Sequence, residues 1–159
     1  MTSNDDFQNM VKQHFDYLVI DHNAQSTSGY RDGNSFVRFE LRSVWLELIY
    51  DPREDSVVLE FGRNASGERF DFHMYVGLKC PLLYYQFGAC VAFDQNRLNE
   101  LIQLYSQSLQ EYGLDILNDS EDAFKVITEA ASSGKGLCPP YYKQNSVKSR
   151  FDYQGYEGV

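Results

Sequence analysis

Asp71 and His73 stand two residues apart in a run of alternating polarity, with Arg69 and Tyr75 in line. On an extended strand that spacing puts the side chains on one face, and a carboxylate beside an imidazole can orient a general base. Such a base needs a nucleophile within hydrogen-bond reach, and no Gly-x-Ser-x-Gly elbow or comparable motif supplies one. An ordinary polar sheet face is the weightier reading, so no catalytic residue is assigned and the chain reads as a non-enzyme. His14 sits on an apolar stripe and reads as a core or boundary residue. Asp21-His22 has no carboxylate or thiol at metal-ligand spacing, so no metal is expected. Ser133-Gly134-Lys135-Gly136 superficially matches a phosphate loop, yet it closes a helix where a Walker loop opens one. No Gly-x-Gly-x-x-Gly run exists, and no cofactor is expected. Three cysteines without a Cys-x-x-Cys pair read as reduced thiols.

Charge is more informative than these motifs. The 159 residues carry 14 Lys plus Arg against 23 Asp plus Glu, a formal charge of −9. A nucleic-acid binder needs a basic surface, so direct nucleic-acid binding is not expected, whereas a basic protein partner is. Between Asp94 and Glu129 eight acids face two bases, a local −6. Glu100 and Glu111 share one helix face, with Leu104 on or beside it, and Asp115, Asp119, Glu121 and Asp122 follow. These residues form the candidate partner-binding surface, where charge speeds association more than it adds affinity. Trp45 is a second candidate anchor, predicted on a sheet face shared with Ile49, Val58, Tyr75, Glu47, Glu60 and Arg69. A homodimer through that face is one alternative; cover by the C-terminal tail or by residues 77–93 is another.

The elements that must position these residues follow from periodicity. Phe7, Met10, Val11, His14, Phe15 and Leu18 recur at helical spacing, with Asn4 or Asp5 as the cap. Asp21 to Asn34 reads as a polar loop with at most a short strand near Ser28 to Arg31. From Ser35 to Val76 the period falls to two, predicting a four-stranded antiparallel meander whose last strand runs from Phe70 to Val76. Residues 77–93 fit a buried strand or a buried helix equally. Asp94 caps a helix marked by Leu98, Leu101, Ile102, Tyr105 and Leu109, with Gly113 as its stop. Ser120 caps another, with Phe124, Ile127 and Ala131 inward. Segregated elements of this kind predict an α+β domain over 1–138, with the helices packed on one face of the sheet. Residues 139–159 are expected as a flexible or surface-draped tail. Met1 to Phe7 lacks a signal peptide's basic and apolar regions, and Pro81 to Phe93 is too short to span a bilayer, so a cytoplasmic protein is expected.

Three stretches carry a family resemblance: Phe15-Asp16-Tyr17-Leu18; Leu46 to Arg53 running into Val57 to Gly62; and Leu98 to Tyr112 followed by Leu114 to Asp119. In this order, spanning about residues 7 to 132, the chain resembles small acidic bacterial immunity proteins of polymorphic and contact-dependent toxin systems. The resemblance implies a non-enzymatic, cytoplasmic protein that neutralises one cognate toxin by binding it; taken with the local −6 and the absence of catalytic motifs, the expected target is a basic toxin, a nuclease. It departs from those proteins in the aromatic content of residues 77–93 and in its long tail. Two other functions fit the composition: a phage anti-defence protein that mimics nucleic acid, or an intracellular adaptor.

Overall fold

The computed structural model describes residues 3–88, 90–92 and 94–133. The expected tail, 139–159, lies outside the described residues, as does the end of the 1–138 domain.

The first helix, α1 (Asn4–His14), is capped by Ser3 rather than by Asn4 or Asp5. Ser3 Oγ accepts the Asp6 N–H at 3.1 Å, and the Asp6 carboxylate accepts the Ser3 N–H in return. The helix breaks at Phe15 and resumes as α2 (Asp16–Ile20). The apolar stripe survives the break, since Phe7, Val11, Phe15 and Leu18 are all fully buried.

The sheet has five antiparallel strands in sequence order: β1 (Gln25–Arg31), β2 (Asn34–Glu40), β3 (Val44–Asp51), β4 (Ser56–Arg63) and β5 (Phe70–Asp71). Two expectations are corrected here. The polar loop contains a full strand, β1, joined to β2 by Asp32-Gly33 with φ of 54° and 84°. Positive φ at both loop residues is the hairpin turn whose twist suits antiparallel strands. β1 lacks alternation because, at the sheet edge, it is exposed on both faces.

The second correction concerns Phe70 to Val76. Only Phe70–Asp71 is strand, and α3 (Phe72–Lys79) follows at once. Asp71 caps it, accepting the His73 backbone N–H at 2.7 Å. Phe72, Tyr75 and Val76 are buried at i, i+3 and i+4, a helical spacing hidden inside an alternating run.

Next come α4 (Pro81–Gln86), with proline in its first turn, and α5 (Gln95–Tyr112), capped by Asp94 through the Arg97 N–H at 2.8 Å. The ambiguous stretch is thus helical at its start. Its later part pairs with the sheet: the Val57 N–H donates to Cys90 O and the Ala92 N–H to Asp55 O. β5 and residues 90–92 therefore share the open edge of β4. The chain ends its described course with α6 (Leu114–Leu117) and α7 (Glu121–Ser133).

All helices that contribute to the core lie on one face of the sheet, as the segregated order predicts. Val37, Phe39, Leu46, Leu48, Tyr50, Val57, Leu59 and Phe61 point into that layer. Phe61 is its hub, with the rings of Phe70, Phe72, Tyr75 and Phe124 at 5.7–6.3 Å. Ala131, expected inward, is exposed. Among the described residues, no helix is long and apolar enough to cross a membrane.

Candidate functional site

Helix α5 buries Leu98, Leu101, Ile102, Tyr105 and Leu109 and turns a polar stripe outward. That stripe reads Glu100, Gln103, Gln107, Gln110 and Glu111, all exposed. At 1.5 Å per residue its two acids stand about 16 Å apart along the helix. Leu104, expected beside them, is half-buried and packs against the core.

Asp115, Asp119, Glu121 and Asp122 follow one another through α6, the turn after it and the first turn of α7, at the corner where α6 joins α5 to α7. Asp115 and Asp122 are exposed there, and Asp119 takes a left-handed φ of 53° in the turn before α7. Arg63, reaching over from β4, holds Asp119 at 2.7 Å and Glu121 at 3.2 Å. The same guanidinium lies 4.2 Å from the centre of the Phe124 ring. Asp119 is thus a structural residue as well as an acidic one. Lys79 of α3 approaches Asp115 at 3.8 Å, and Arg97 approaches Glu100 at 3.3 Å. Glu121 and Asp122 occupy the first turn of α7, where the helix dipole favours negative charge. Shallow clefts of about 520 and 420 Å³ flank the corner, one lined by His22, Arg42 and Asp119, the other by Arg63, Asp122 and Lys125. Counting Arg63 and Lys79 against Glu111, Asp115, Asp119, Glu121 and Asp122 leaves −3, and Arg42 and Lys125, which line the clefts, bring it to −1.

Trp45 lies on the outer sheet face, as expected, but it is not presented to solvent. Arg38 and Arg69 lie over its ring at 4.4 and 4.7 Å, and its residue exposure is 5%. Beneath it, cross-strand partner Gly62 leaves room for the indole; a Cβ there would come within 2.8 Å of the ring. Tyr75, assigned to the same face, instead lies in the core on α3.

The sequence reading missed what the arginines surround. Glu47 is fully buried and bonds Arg31, Arg38 at 3.4 Å and Arg69 at 2.8 Å, while Arg69 also pairs with Glu60. Burial alone pushes the Glu47 carboxyl up, but hydrogen bonds from Arg31 and Arg69 outweigh it and hold it below its usual value. Register carries the missing signal: Arg38 lies directly opposite Glu47, and Glu60 opposite it on the other side.

Asp71 and His73 do not share a strand face, which corrects the expected arrangement. Asp71 serves the backbone as a cap, and the imidazole turns elsewhere. His73 Nε2 lies 2.7 Å from Tyr84 O, and Nδ1 lies 3.5 Å from Cys90 Sγ. Among the described residues, no group of three or more His, Cys, Asp or Glu is placed to hold a metal ion.

Compared with known proteins, the chain matches no family model, no curated protein and no solved structure.

Proposed function

We propose that the chain is an immunity-type inhibitor that binds a basic toxin domain through the α5–α6–α7 corner. What carries this reading is the exposure of Glu111, Asp115, Glu121 and Asp122 at one corner whose neighbourhood stays negative after Arg63 and Lys79 are counted. An acidic patch of this kind accelerates encounter with a cationic partner, and the flanking clefts offer recesses for its side chains. A nuclease is a suitable target, because a surface that binds phosphates is basic. Burial of Trp45 under two guanidiniums weighs against the dimer that its exposure would have motivated.

Co-expression tests the reading. A basic nuclease-type toxin domain, sought first among those encoded beside this chain, should arrest growth alone and cease to do so when this chain is present. Charge reversal at Glu111, Asp115 and Asp122 should remove the protection while the protein stays folded. Growth arrest unrelieved by the wild-type chain would count against an immunity role.

A further inference from the structure

We propose that Cys90 and His73 form a reactive thiol–imidazole pair, at which Cys90 is modified by small electrophiles, hydrogen peroxide among them. Different elements deliver the parts. His73 is in the first turn of α3, Tyr84 in α4, Tyr105 in α5, and Cys90 in the stretch that pairs with β4. A carbonyl oxygen only accepts, so the 2.7 Å contact with Tyr84 O assigns the ring proton to Nε2. That leaves the Nδ1 lone pair facing the thiol at 3.5 Å, the arrangement in which an imidazole withdraws a thiol proton.

The imidazole is held in place. Its ring stacks on Tyr84 at 4.0 Å and 17°, with Phe87 tilted against it at 4.9 Å. Cys90 has a φ of 55°, a conformation that residues with a Cβ rarely adopt, and its backbone is anchored to Phe87 O and the Val57 N–H. A cleft of about 580 Å³ is lined by Glu60, Glu68, Arg69, Asp71, His73 and Tyr84; Glu60 is paired with Arg69, so Asp71, which accepts the His73 backbone N–H, is the carboxylate nearest the charge an imidazolium would carry. Tyr105 faces the sulfur at 3.4 Å and donates its proton to Val57 O. Burial pushes that phenol well above its usual value, so it remains neutral. Cys90 is only 7% exposed, which limits its partners to small reagents.

The reaction balances without a further reactant. The Cys90 S–H proton passes to His73 Nδ1, and the thiolate attacks one peroxide oxygen. An S–O bond forms as the O–O bond breaks, and hydroxide leaves and takes the imidazolium proton to become water. Sulfur is oxidised by two electrons to the sulfenic acid and peroxide is reduced.

The test uses the full chain with Cys80→Ser and Cys138→Ser, so that Cys90 is its only thiol. Iodoacetamide labelling near pH 7 is followed by mass spectrometry, in the folded protein and in concentrated urea. A paired thiol should react about ten-fold faster folded than unfolded, and His73→Gln should remove that advantage. After peroxide, dimedone should tag Cys90 in the parent and not in His73→Gln. Slower reaction in the folded state than in urea overturns the proposal, as does a folded rate indifferent to His73→Gln or a parent that dimedone leaves untagged. Should His73→Gln fail to fold, the folded-against-urea comparison in the parent decides alone.

Discussion

At the scale of single residues, the outer sheet face shows charges doing structural work. Glu47 is buried because guanidiniums from three strands or strand ends close over it and over Trp45. Glu47→Ala leaves those arginines facing one another and should destabilise the fold by roughly 2–3 kcal/mol, less than a fully buried pair because they can turn to water. The sign of the pH effect follows from the lowered carboxyl. Its contribution is complete above the unfolded value of 4.5 and is lost as pH falls through the folded value, so Glu47→Gln should flatten the acid limb of a stability–pH curve. Gly62→Ala should cost about 1–3 kcal/mol, since the new methyl must displace both the Glu68 carbonyl and the Trp45 ring. Urea denaturation at several pH values checks all three substitutions. Trp45 was placed on its face by alternation alone, but alternation says nothing about Arg38 and Arg69. A side chain's cover comes from other strands.

At the scale of elements, success and failure in reading the sequence share one cause. α5 was legible because Asp94, five spaced apolar residues and Gly113 agree on its start, face and stop. β2, β3 and β4 were legible because each sends apolar side chains into the core at every second position. β1 buries none, so hydrophobic alternation could not reveal it; Asp32-Gly33 was its signal, read only as loop composition. α3 was lost because Phe70, Phe72, Met74 and Val76 alternate while Phe72, Tyr75 and Val76 also repeat helically. Asp71 decides between them by capping. Asp71→Ala should therefore cost about 1 kcal/mol and loosen α3 specifically, visible as faster amide exchange at His73 and Met74. The same contrast ranks strands: Leu48→Ala in central β3 should cost roughly 2–5 kcal/mol, whereas Ser28→Ala on edge strand β1 should stay within about 0.5.

At the scale of the whole molecule, the net charge of −9 resolves into distinct parts. Acids of the sheet are absorbed by arginines, as around Glu47 and Glu60, whereas those of the α5–α7 corner are only partly offset. The local excess was legible from composition; its geometry was not, because the separation of Glu100 from the corner and the capture of Asp119 by Arg63 depend on tertiary placement. That division yields an internal control. Asp122→Lys and Glu100→Lys change the net charge equally, but only the first alters the proposed docking corner. The decisive measurement is the association rate of each variant with the basic toxin domain that the wild-type chain neutralises, at low and moderate ionic strength. A corner that docks the partner predicts an association rate about ten-fold slower for Asp122→Lys, with a weaker salt dependence, and a much smaller change for Glu100→Lys. Equal effects of the two substitutions, or no effect of either, would contradict it.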